Sequence, residues 1–159
     1  MHFSHVVALD GSLSEDEVSG ALEWAMMQFH EENEDAISGE WDWYVVGGRW
    51  GSEWTLREGA PNGPLGTEPS TFGFTEKYDE NPRATDCARW QHIAPESVKV
   101  PYSWLDLKLD WHTKWLGPDA SGSNDTKDWE RGNAHDEEFM KFLAYLPVNT
   151  WLIHVDFHS

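Results

Sequence analysis

The chain has 159 residues, 29 acidic and 11 basic, for a formal charge of −18. That length suits a single domain spanning residues 1–159, and the acid excess excludes the basic footprint of a nucleic-acid-binding domain. Hydrophobic residues make up 39% and aromatics 14%, with eleven tryptophans, so the chain can bury a core and is not compositionally disordered. No apolar run approaches the roughly 20 residues a membrane helix needs. The opening MHFSHVVALDG carries no basic n-region, so no secretory signal is expected. Cys87 stands alone, which excludes an intramolecular disulfide and suits a reducing compartment. The composition predicts a soluble, acidic, cytoplasmic protein.

Phe3 to Leu9 is a short apolar run closed by the turn dipeptide Asp10-Gly11, and it predicts a strand. Ser14 to Glu17 has the form of a capping box, and Val18, Leu22, Ala25, Met26 and Phe29 recur at helical spacing behind it. The helix so predicted frays near His30. Residues 40–58, EWDWYVVGGRWGSEWTLRE, are rich in aromatic and β-branched residues broken by glycines. They predict a hairpin turning at either Gly47-Gly48 or Gly51-Ser52. A one-residue shift of register reverses every tryptophan, so the facing of Trp41, Trp43 and Trp50 stays open. Residues 59–83 hold many Gly and Pro residues without periodicity and predict a long loop. Residues 84–131 read as an insertion with one short helix or strand. Asp136 to Leu146 then predicts a helix stopped by Pro147, with Phe139, Phe142, Leu143 and Leu146 on one side. In the closing strand Trp151, Ile153, Val155 and Phe157 alternate with Leu152, His154, Asp156 and His158. The order strand, helix, strand, strand, insertion, helix, strand predicts an α+β, ferredoxin-like split βαβ fold. Its sheet would be antiparallel, with two helices on one face and the first strand central.

Three segments together resemble a family of uncharacterised small proteins of tailed bacteriophages: His2-Phe3 before a strand, Trp41-Asp42-Trp43-Tyr44 followed by Gly47-Gly48-Arg49-Trp50, and a closing Asp156-x-His158. Val100-Pro101-Tyr102-Ser103 and Trp111-His112 look like a weaker signature of the same family. The chain departs from that pattern at Phe157, where a cysteine is expected, and after Trp115, where a glycine- and tryptophan-rich stretch is expected. A fainter likeness links the hairpin to ferredoxin-like plasmid and phage proteins. The resemblance implies a phage accessory protein acting in the cytoplasm of an infected bacterium, and it brings no biochemical activity with it.

Four constellations carry candidate chemistry. Trp41, Trp43, Gly47, Gly48, Arg49 and Trp50 could form an aromatic platform with one cation, suited to a nucleobase on indole and a phosphate on guanidinium. The plainer reading makes Gly47-Gly48 a tight turn and the tryptophans core. His2, Asp156 and His158 could ligate a divalent metal or run acid–base chemistry, because the first and last strands would lie side by side. A solvated sheet face is the plainer reading here too. Cys87 with His92 could pair, though a lone cysteine is usually inert. Residues 1–48 hold eleven acidic residues and no Lys or Arg, so they carry −11 of the −18. Such a face attracts basic surfaces and repels nucleic acid, unless it serves solubility alone. There is no Walker loop, GxSxG or dinucleotide fingerprint. The resulting expectation is a non-enzymatic phage protein needing no cofactor. Glu31, Glu32, Glu34, Asp35, Glu40 and Asp42 would engage the basic, nucleic-acid-binding surface of a host or defence protein and inhibit it. A nucleotide-binding or sequestering protein is the alternative, and a metal-dependent enzyme the third.

Overall fold

The computed structural model describes residues 1–51, 53–61, 63, 83–114 and 126–159. Within them the elements run β1 (His2–Leu9), α1 (Glu15–Met27), β2 (Trp43–Val46), β3 (Trp54–Thr55), β4 (Ala84–Thr85), β5 (Cys87–Arg89), β6 (Ser103–Leu105), β7 (Trp111–Thr113), α2 (Thr126–Tyr145) and β8 (Trp151–His158). The fold is mixed α+β, as expected. Ser14, extended at φ −75° and ψ 164°, precedes the first turn of α1, but its side chain makes no capping bond. The predicted start is therefore right and the capping box is not formed. Helix α2 begins well before the expected Asp136.

The centre of the sheet is an antiparallel pair. β1 and β8 match along their whole length, from His2 opposite His158 to Leu9 opposite Trp151. β6 runs parallel to β1 on the far side, and β7 continues antiparallel from β6. The other edge of β8 is shared. Its C-terminal half pairs with β2 and its N-terminal half with β5, both antiparallel. Between those partners the His154 carbonyl accepts the Gly47 N–H at 2.8 Å, and the His154 N–H donates to the Asp86 carbonyl at 2.7 Å. β3 and β4 form a separate two-stranded ribbon.

Both central strands are buried on two faces. Val7, Leu9, Ile153, Val155 and Phe157 pack with Val18, Leu22, Ala25 and Met26 of α1. Val6, Ala8 and Leu152 pack with Trp54, Trp104 and the α2 residues Phe139 and Leu143. Neighbouring residues of a strand point to opposite faces, so α1 and α2 cover opposite sides of the sheet. Each fully buried aliphatic side chain contributes about 1.5–3 kcal/mol, and the uninterrupted Val6–Leu9 run supplies both layers at once.

These facts correct the expected topology. The ferredoxin-like order needs an antiparallel neighbour on each side of β1 and both helices on one face. Here β6 lies parallel to β1 and the helices are on opposite faces. A continuous apolar run accommodates two-faced burial, which strict alternation does not. The 40–58 hairpin does not form either. β2 takes β8 as its partner, and Gly47 and Gly48 lead into a 3₁₀ turn at Gly48–Trp50 instead of returning along β2. Residues 84–114, read as part of an insertion, supply β5, β6 and β7 to the main sheet. Ser52, Asn62 and residues 64–82 of the expected long loop, and residues 115–125 lie outside the described residues.

Candidate functional site: two histidine–carboxylate pairs and an acidic lobe

The register of the three strands assembles a polar end on the α2 side of the sheet. His158 is opposite both His2 and Trp43, and Asp156 is opposite both Ser4 and Val45. Alternation puts His2, Ser4, Trp43, His154, Asp156 and His158 on one face, so the sequence's candidate trio of His2, Asp156 and His158 does come together. Toward α2 this face carries Val6, Ala8 and Leu152 under Trp54 and Phe139. At the other end it opens into a pocket of about 300 Å³ lined by His2, Asp42, Trp43 and His158.

Each imidazole at the pocket is held through Nδ1 by a carboxylate. His2 Nδ1–H donates to Asp156 Oδ1 at 2.9 Å, and His158 Nδ1–H to Asp42 Oδ1 at 2.8 Å. With the proton on Nδ1, a neutral ring presents Nε2 as an acceptor. The ring centroids lie 5.4 Å apart, edge to face, and Trp43 stands 5.8 Å from His2. Neither Nε2 has a hydrogen-bond partner among the described residues. The hydrogen bond from His158 holds the Asp42 carboxyl below the usual carboxylate range.

Asp156 is the buried anchor of this end, its side chain only 2% exposed. Its second oxygen accepts the backbone N–H of Arg49 at 3.0 Å. That bond depends on the two glycines. Gly47 sits at φ 75° and ψ −77°, in the γ-turn region, and Gly48 at φ 57°. A Cβ on Gly48 would overlap the Asp156 side chain. The glycines therefore serve as a close backbone approach to a carboxylate.

The expected aromatic platform is divided between the two faces. Trp41 is buried against α1 and donates its Nε1–H to the Met26 carbonyl at 2.8 Å. Trp43 is on the opposite side beside His2, and Trp50 is half-buried in the 3₁₀ turn. Arg49 is exposed. Only Trp43 of the three indoles lines the histidine pocket.

Deeper on the same face is a constellation that the sequence did not suggest. Ser4 Oγ lies 3.0 Å from His154 Nε2, and His154 Nδ1 lies 3.8 Å from Asp86 Oδ1. The order is that of a nucleophile, base and carboxylate, but the second step exceeds hydrogen-bond reach. His154 is also buried beneath Trp54, stacked at 4.9 Å with the two rings nearly parallel. On the α1 side, His5 bonds Ser103 Oγ at 2.7 Å and stacks on Trp111 at 4.0 Å. Burial, followed by the charge of His154, pushes its pKa down to about 3, partly offset by Ser103. Cys87 is buried in the core on that side. A larger concavity of about 720 Å³ lies between the β6–β7 turn and α2. There His112 bonds Asp106 at 2.8 Å and stacks on Trp104.

The acidic residues after α1 form an ordered lobe. Ile37 N–H donates to the Gln28 carbonyl, Glu40 N–H to the Phe29 carbonyl and Glu31 N–H to the Trp41 carbonyl. Asn33 Nδ2–H donates to the Met27 carbonyl at 2.7 Å, which stitches the lobe to the last turn of α1. Glu31, Glu32, Glu34 and Asp35 are exposed, while Glu40 is half-buried and accepts the Ser38 hydroxyl. Trp24, Met27 and Ile37 are also exposed, at 59%, 39% and 63%. Asp42 ends the lobe at the histidine pocket.

Among the described residues, no group of three or more His, Cys, Asp or Glu side chains is placed to hold a metal ion, and no helix is long and apolar enough to cross a membrane. His2, Asp156 and His158 are neighbours, but they engage as hydrogen-bonded pairs. Comparison with family models, with curated proteins and with solved structures finds no match to this chain.

Proposed function

We propose that the protein binds and inhibits another protein through its acidic lobe, the partner being a host or anti-phage defence protein with a basic, nucleic-acid-binding surface. One observation carries this reading. Trp24, Met27 and Ile37 are exposed apolar side chains on a helix end and lobe that also present Glu23, Glu31, Glu32, Glu34 and Asp35 to solvent. A large aromatic within a charged rim is the anatomy of a protein-binding hot spot, and the sign of the rim selects a cationic partner. The resemblance to phage accessory proteins gives the setting, the cytoplasm of an infected bacterium.

The test is affinity capture from nuclease-treated bacterial lysate at low and high salt, repeated with two variants. Reversing Glu31, Glu32, Glu34 and Asp35 to Lys should slow association more than it speeds dissociation. Trp24→Ala should weaken the complex by about 2 kcal/mol without changing the fold. A retained protein indifferent to salt and to both variants would overturn the reading.

A second reading, ligand binding, is favoured by the histidine pocket. Trp43 offers a stacking face there, and two imidazole edges offer hydrogen bonds to a phosphate. That reading moves the nucleotide site away from the six-residue platform and onto His2, Trp43 and His158.

A further inference from the structure

The histidine pocket has more order than simple ligand binding requires. His2 and His158 come from the two ends of the chain, yet the β1–β8 register sets them directly opposite each other. Both use Nδ1 on a carboxylate, and both leave Nε2 unengaged by any described residue beside the same opening. Carboxylate–imidazole pairs of this kind fix ring orientation and tautomer, which acid–base work requires and stacking alone does not. Two such pairs facing one pocket supply one base and one acid.

A pair of imidazoles without a nucleophile of their own fits a reaction in which the substrate brings the nucleophile. Resting on the ligand-binding reading above, the geometry points to His2 and His158 as the general acid–base pair of a ribonucleotide phosphodiesterase acting on short or cyclic oligoribonucleotides. One imidazole accepts the ribose 2′-hydroxyl proton at Nε2 as that oxygen bonds to the adjacent phosphorus. The other donates its Nε2 proton to the departing 5′-oxygen as the P–O bond breaks. The products are a 2′,3′-cyclic phosphate and a 5′-hydroxyl, and no oxidant, water or metal enters the balance. Trp43 stacks the base beside the scissile phosphate.

Charge sets the substrate length. A protein of charge −18 repels a long polyanion, whereas a dinucleotide brings only one or two charges. The two carboxylates nearest the phosphate are not bare. Asp156 is buried, with one oxygen on His2 and the other on the Arg49 N–H, and Asp42 is engaged by His158.

The test incubates the full chain with adenylyl-(3′→5′)-adenosine and with a cyclic ribodinucleotide. It also follows binding of the 2′-deoxy dinucleotide by titration calorimetry. Expected are cleavage to the 2′,3′-cyclic phosphate, undiminished by EDTA, and binding without cleavage of the deoxy analogue. His158→Asn and His2→Asn should each lower the rate by about 10²- to 10⁴-fold. Trp43→Ala should weaken deoxy-analogue binding by about tenfold or more. His158 is half-exposed, so His158→Asn keeps the test valid if His2→Asn, which strips a partner from buried Asp156, fails to fold. Binding without cleavage of either ribonucleotide would overturn the acid–base assignment and leave the ligand reading standing. Neither binding nor cleavage would overturn both. Cleavage that survives His158→Asn, or that EDTA abolishes, would overturn the assignment of these residues.

Discussion

The pairs His2–Asp156 and His158–Asp42 have hydrogen bonds of nearly equal length, 2.9 and 2.8 Å, and lie 5.4 Å apart between rings. They differ in what surrounds the carboxylate. Asp156 is enclosed at 2% exposure and has a second donor in the Arg49 N–H, whereas Asp42 is 39% exposed at the tip of the acidic lobe. A buried carboxylate stripped of its partners is costly, while an exposed pair competes with water and salt. One pair therefore belongs to the framework of the fold and the other to its surface, though both present an imidazole to the same pocket. Bond length alone would have ranked them equal.

The sharpest way to separate them is to remove each carboxylate. Asp156→Ala should destabilise the protein by about 2–4 kcal/mol in urea denaturation, because the Arg49 N–H and His2 lose their shared acceptor. Gly48→Ala attacks the same anchor through the backbone. The positive φ and the overlap with Asp156 should cost about 2–3 kcal/mol, read from the same denaturation curves. A pH-dependent effect belongs to His5. Its folded pKa of about 3 lies below the ordinary 6.5, so the unfolded chain binds a proton that the folded chain refuses. Stability should be insensitive to this group above pH 6.5 and fall as the pH drops from 6.5 toward 3. His5→Asn should flatten that part of the profile of denaturation midpoint against pH. The smallest effect is expected at the exposed pair, where Asp42→Ala should leave the denaturation midpoint unchanged while altering any pocket activity that depends on His158. Equal losses from Asp156→Ala and Asp42→Ala would erase the distinction between framework and surface.

Much of the secondary structure was legible because it is local. The helix after Ser14, the helix around Phe139 to Leu143 and the first and last strands each declare themselves by period and by turn or stop residues within a few positions. The Trp/Gly-Gly block misled because glycines after a strand are the signal for a hairpin, and nothing local announces a carboxylate arriving from 107 positions away. Ser4, His5, Asp86 and Ser103 went unread for the same reason. Isolated polar residues in apolar or mixed segments gain meaning only from what they face.

By itself the sequence determined the charge and its concentration in residues 1–48 and the α+β content. The tertiary structure decided the parallel β6 beside β1, the placement of α1 and α2 on opposite faces, the separation of Trp41 from Trp43, and the division of labour between Asp156 and Asp42. The physical reason is that periodicity encodes which residues of a segment share a face. Which partner covers that face, and which carboxylate water can reach, depends on segments distant in the chain whose packing no local pattern records.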